Sequence, residues 1–170
     1  MGYVHDTSLY AWIGPNLFGM SAGTWTLTQA SNVTSVNRTA ADASFNTSVP
    51  ILLPSSATAS HGAYLESIDV FYSIATAACD DFATVELEKA TLPAATGSAP
   101  TAAAVTTTQD TGHDTAAERK AVAEHKMTVT LSTPAWIDDG EAYNLWMVVD
   151  AAATTVFKWY GARAHFTLRL

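Results

Sequence analysis

At 170 residues, with 48% apolar and only 14% charged side chains, the chain can build one domain with a real core and is too apolar to be disordered. A net charge of −8, with eight Lys and Arg and no basic run, excludes the electrostatic footprint of a nucleic-acid binder or of a protein held on anionic membrane. No apolar stretch reaches the roughly 18 residues of a membrane span, and Cys79 as the single cysteine excludes an intrachain disulfide.

In chain order, the start Met1-Gly2-Tyr3-Val4-His5-Asp6 has neither a basic n-region nor an apolar h-region, so classical secretion is not expected. Asp6 stands where a myristoylation signal needs Ser or Thr. Sequons at Asn32, Asn37 and Asn46 are what chance supplies in a Thr-rich chain. Residues 1–23 mix Tyr3, Tyr10, Trp12, Ile13, Leu17, Phe18 and Met20 with Gly14-Pro15, too apolar to float in water yet without a steady period. Two expectations stay open for this segment. It is an arm that packs on another subunit, with Tyr10, Trp12, Ile13, Leu17 and Phe18 as the oligomer or lattice contact, or it covers its own sandwich, residues 24–170.

Period-2 alternation marks the strands that follow. Residues 24–28 alternate Trp25 and Leu27 with Thr, and residues 45–53 place Phe45, Thr47, Val49 and Ile51 on one face. Pro50 inside the second predicts an edge or bulged strand. Ile68, Val70, Tyr72 and Ile74 share a face, Val85 and Leu87 alternate with Glu86 and Glu88, and residues 93–113 read as an extended loop with room for a strand at 103–108. Residues 114–125 are helix formers throughout, with Asp114 or Thr115 as cap and Glu118 in the first turn. Met127, Val129 and Leu131 form the next row, then Tyr143, Leu145, Met147 and Val149, then residues 156–160, and finally Phe166, Leu168 and Leu170. Asp80-Asp81 and Asp138-Asp139-Gly140-Glu141 supply turns between them. About eight short strands with one short helix near 114–125 predict an all-β fold, an antiparallel two-layer sandwich or jelly roll.

Chemistry-bearing residues are sparse. His5, His61, His113, His125 and His165 make no HxH or HxxxH pair, and Cys79 has no CxxC partner, so no metal is expected. Asp110, His113 and Asp114 form a local group that His125 joins if the helix folds back, and turn-making and capping account for it. Glu86 and Glu88, about 7 Å apart along a strand, belong to its solvent face. There is no GxSxG and no glycine-rich phosphate loop, so no catalytic centre and no cofactor are expected. Among five tryptophans, Trp136, Trp146 and Trp159 are candidates for stacking on sugar rings, the alternative being core or subunit interface.

Leu65-Glu66-Ser67-Ile68-Asp69-Val70-Phe71-Tyr72, then Phe82-Ala83-Thr84-Val85-Glu86-Leu87-Glu88-Lys89, then Met127 to Pro134, Tyr143 to Asp150 and Tyr160-Gly161-Ala162-Arg163 before a last strand follow a familiar order. Over residues 61–170 this order and texture resemble the small jelly-roll domains of tailed-bacteriophage structural proteins, capsid decoration proteins and fibre or spike heads. The resemblance implies a non-enzymatic structural protein made in the host cytoplasm and exposed on the virion surface. Its partners would be copies of itself, as a homotrimer, and other virion proteins such as the capsid or a fibre stalk. Capsid decoration is the leading expectation. The alternative is a fibre or spike head, or a carbohydrate-binding module, that recognises a host surface glycan.

Overall fold

Alternation of apolar and polar side chains governs almost every element. The computed structural model describes residues 6–52, 63–93, 96–138 and 140–169; Tyr3, His5, His61, Asp139 and Leu170 lie outside them. The strands are β1 (Asp6–Ile13), β2 (Gly19–Met20), β3 (Trp25–Ala30), β4 (Val33–Arg38), β5 (Ala43–Ile51), β6 (Ala63–Ala75), β7 (Asp81–Thr91), β8 (Thr101–Val105), β9 (Thr107–Gln109), β10 (Ala123–Trp136), β11 (Glu141–Ala151) and β12 (Val156–Arg169). A 3-10 turn at Pro15–Leu17 links β1 to β2, and a single helical turn, α1 (Ala116–Arg119), precedes β10.

The strands form two antiparallel sheets. One runs β3-β4-β12-β6-β10-β9, with β1 also paired to β12, and the other runs β2-β5-β11-β7-β8. This is the all-β two-layer sandwich that the alternation predicts. Its core lies between the inner faces: Ile68, Val70, Tyr72 and Ile74 of β6, with Met127 and Val129 of β10, face Phe45 and Val49 of β5, Leu87 of β7 and Leu145, Met147 and Val149 of β11. At one end an aromatic cluster fills the space. Trp159 meets Phe157 at 4.7 Å, Tyr72 at 5.6 Å and Phe18 at 5.8 Å, contacts worth about 0.5–1.5 kcal/mol each beyond the area they bury.

Three expectations need correction. Residues 156–160 and 164–169 are one strand, because a bulge between Trp159 and Gly161 shifts the inward row from Phe157 and Trp159 to Ala162, Ala164 and Phe166. A bulge adds one residue, and the two-residue period therefore changes phase across it. The helix is one turn, not residues 114–125: Thr115 caps it in a capping box with Glu118, and residues 123–125 are already strand. Pairing of His125 with Tyr72 and of Lys126 with Phe71 holds that stretch extended, and tertiary pairing overrides helix propensity here. The loop at 93–113 carries two strands, β8 paired with β7 and β9 with β10, so the chain crosses from one sheet to the other at Thr106. Of the two readings left open for the first 23 residues, the described part takes the covering one, since β1 and β2 pair with β12 and β5 of this chain's own sandwich. Pro50 does sit at an open edge, since β2 covers only Thr47 and Ser48 of β5.

Candidate binding groove

Strand β1 alternates with apolar side chains on both faces, which hides its period in the sequence. Leu9, Ala11 and Ile13 turn to the core, while Tyr10 and Trp12 stand outward, 55% and 57% exposed. Gly161 of the β12 bulge makes the seat for the indole. Its φ is +136°, and a Cβ there would lie 2.6 Å from Trp12 Cζ2 and 2.8 Å from the Ile13 carbonyl oxygen. Only glycine combines that backbone with so close an approach. The Trp12 ring then reaches Phe71 of β6 at 5.7 Å, tilted by 41°.

The opposite wall comes from the β3–β4 hairpin. Ser31 and Asn32 have φ of 50° and 66° between the paired Ala30 and Val33. This is the two-residue turn with positive φ at both positions that fits strand twist, and it raises Val33 and Ser35 beside β12. Trp12, Phe71, Tyr160, Val33, Ser35, Glu124, Lys126 and Lys158 are among the residues lining a groove of about 700 Å³. A second hollow of about 310 Å³ shares Trp12, Val33 and Tyr160 and adds Pro15, Asn32 and Thr34. Tyr160 therefore stands between two compartments, and its hydroxyl donates to Glu124 Oε1 at 3.4 Å. Burial, with the Glu124 charge, raises the Tyr160 pKa against the opposing Ser73 hydrogen bond, so the phenol stays a neutral donor.

Next to the groove, Asp69 gathers a charged cluster, of which Lys126 lines the groove. Arg163 Nη2 and Nε donate to its Oδ2 at 2.6 and 3.2 Å, Thr128 donates to Oδ1 at 2.7 Å, and Lys126 Nζ lies 3.4 Å away. Burial pushes this carboxyl up, but the Arg163 and Thr128 hydrogen bonds and the Lys126 charge outweigh it and hold the pKa below the ordinary aspartate value. Arg163 also lies 4.8 Å from the Tyr10 ring, which stacks on His165 at 4.5 Å. A depressed carboxylate contributes stability that is present above its unfolded pKa and is lost as pH falls through the folded one. Urea midpoints measured from about pH 6 to about pH 2 are expected to fall less steeply for Asp69→Asn than for wild type. Parallel slopes for the two proteins would remove Asp69 from the acid response.

The sequence-derived sets come out divided. Trp159 is fully buried and cannot stack on a sugar. Trp146 is half-buried on the outer face of the other sheet between Ser48 and Glu86, and Trp136 packs on Tyr64 with ring centroids 3.5 Å apart. These three share no platform. Of the contact set, Ile13 and Phe18 are core residues, at 0% and 5% exposure, and cannot anchor a neighbour, whereas Tyr10, Trp12 and Leu17 are exposed. Sequence reasoning missed Phe71 and Tyr160 as site residues. The available signal was an aromatic at outward positions, Phe71 between Asp69 and Ser73, where a solvated strand face carries polar side chains.

Asp110, His113 and His125 do come together. His113 Nδ1 meets Asp110 Oδ2 at 2.8 Å, His113 Nε2 meets His125 Nδ1 at 3.1 Å, and His125 Nε2 donates to the Ala121 carbonyl at 2.9 Å. His125 stacks on Tyr72 at 4.4 Å, and burial pushes its pKa below the usual histidine value. The chain of contacts ties the connection around α1 to β10. Among the described residues no group of three or more His, Cys, Asp or Glu is placed to hold a metal ion.

No protein-family model matches the chain, and no curated protein does. Among solved structures, a family 32 carbohydrate-binding module from C. perfringens NanJ, in complex with galactose, is similar over 92% of this chain and 99% of that chain, at 13% identity and a TM-score of 0.30.

Proposed function

We propose that the chain is a non-catalytic β-sandwich that binds a glycan in the groove over Trp12, Phe71 and Tyr160. The observation that carries this reading is the 57% exposed indole of Trp12, seated against the Gly161 bulge beside a second aromatic, with polar side chains lining the same groove. A pyranose is amphipathic. Its C–H face stacks on an aromatic ring, and its hydroxyls need donors and acceptors at the edge of that ring. Trp12 and Phe71 supply the first, and Ser35, Glu124, Lys126, Lys158 and the Tyr160 hydroxyl supply the second. All of them stand on strands, which hold a site more rigidly than loops do.

Glycan-array binding followed by titration calorimetry tests the reading. Wild type is expected to bind, and Trp12→Ala to weaken binding by about 30-fold, the loss typical of an aromatic anchor, with an unchanged circular dichroism spectrum. A wild type that binds no glycan, or a Trp12→Ala variant that binds as well as wild type, would sink it.

A second reading, subunit contact in an assembled particle such as a virion, draws on the same surface. Val33, 53% exposed, lines the groove with Trp12, and Leu17, 47% exposed, adds to the exposed apolar side chains that another copy would cover. Light scattering separates the two. A stable trimer broken by Leu17→Asp favours assembly, and a monomer at all concentrations leaves the glycan reading alone.

A further inference from the structure

The groove carries a charge opposite to that of the protein. The chain has a net charge of −8 and eight Lys and Arg in all, yet Lys126 and Lys158 line this groove against the single carboxylate of Glu124. Asp69 does not reverse the balance, because Arg163 holds it in two hydrogen bonds and Lys126 stands at the longer distance of 3.4 Å with a side chain 53% exposed. Among the described residues Lys158 forms no ion pair. Glu124 is engaged with the Tyr160 hydroxyl. Two ammonium groups thus face the groove, one without a counter-charge and one with a shared counter-charge, above the aromatic floor.

We propose that the preferred ligand is an acidic sugar, one whose ring stacks on Trp12 while its carboxylate or sulfate meets Lys158 and Lys126. This rests on the glycan reading of the groove. An ammonium acts on such groups as a point charge and needs no planar, two-pronged partner, so carboxylate and sulfate are both admitted by the same pair of lysines. The chain's overall negative charge acts against any anion at long range, and the two lysines act locally. At an ionic strength of 0.1 M charges are screened beyond about 10 Å, so the local pair decides binding there.

The test is an array that pairs acidic glycans, separately uronic, sialylated and sulfated, with their carboxyl-reduced, desialylated or desulfated counterparts, followed by calorimetry on the best pair. The acidic member is expected to bind about tenfold more tightly than its neutral counterpart. Its affinity should fall as salt rises from about 50 to about 300 mM. Lys158→Gln should weaken the acidic member about tenfold more than the neutral one and so remove the preference, and Lys158→Arg should restore most of it. Equal binding of the two members, or a preference that survives Lys158→Gln with Lys126→Gln, overturns the acidic-ligand inference and leaves the glycan reading standing. Binding of neither member by wild type overturns both. The separate arms identify whether the source of the charge is a carboxylate or a sulfate.

Discussion

Arg119→Met is expected to destabilise the fold by roughly 3 to 5 kcal/mol, with a lower urea midpoint as the measured result. The guanidinium, 5% exposed as a residue, has no carboxylate partner among its hydrogen bonds. Instead Nε donates to the Phe82 carbonyl at 2.8 Å, Nη2 to that of Ala83 at 3.0 Å and Nη1 to that of His113 at 2.7 Å. Its own carbonyl accepts from the buried Tyr72 hydroxyl at 2.9 Å. One side chain therefore joins α1, the start of β7 and the turn at His113. Burial pulls its pKa down, with the charges of Tyr72, Asp81, Glu118 and Asp114 pulling back. Met keeps most of the volume and removes all three donors, and each carbonyl left buried without a donor costs about 1 to 3 kcal/mol. Lys should recover only part, since an ammonium cannot reproduce the planar fork. A loss below about 1 kcal/mol for Arg119→Met would show that water replaces the guanidinium without penalty.

Gly161→Ala should cost roughly 3 kcal/mol and, on the proposed glycan reading of the groove, weaken binding by tenfold or more. The new Cβ would meet the Ile13 carbonyl oxygen at 2.8 Å and Trp12 Cζ2 at 2.6 Å, in a backbone conformation at φ +136° that L residues rarely adopt. The indole can swing away, but the Ile13 carbonyl belongs to β1 and moves only if that strand separates from β12. Ile13 is wholly buried, so the displacement reaches the core. Because Trp12 and Ile13 are adjacent, the groove loses its wall as the fold loses its strand. The double variant Trp12→Ala with Gly161→Ala separates the two parts: its stability loss should be smaller than the sum, and its binding no weaker than that of Trp12→Ala. Wild-type stability in Gly161→Ala would contradict the bulge geometry.

Much of the fold is legible in the residues because single-phase alternation survives in β5 and β11, where Phe45, Thr47, Val49 and Ile51 or Tyr143, Leu145 and Met147 keep one face throughout. It fails where a bulge changes the phase, as at Tyr160-Gly161, or where both faces are apolar, as in β1. Arg119 reads as one more helix former, since nothing local shows that carbonyls of Phe82 and Ala83, far back in the chain, close around it. The groove was half legible. Trp12 stands out as a candidate contact residue, but its meeting with Phe71 and Tyr160 depends on β1 adding to β12 beyond the bulge, a pairing that no local pattern encodes.

The placement of the five tryptophans has an optical consequence. Trp12 is the strongly exposed indole, Trp25, Trp136 and Trp146 are half-buried, and Trp159 is sealed in the aromatic cluster. A collisional quencher such as iodide or acrylamide will reach Trp12 most readily, so the red-shifted, quenchable part of the native emission belongs largely to the groove. The unlabelled protein carries its own occupancy meter: a ligand or a neighbouring copy lying on Trp12 will shield that fraction, while emission from Trp159 changes only when the sandwich opens.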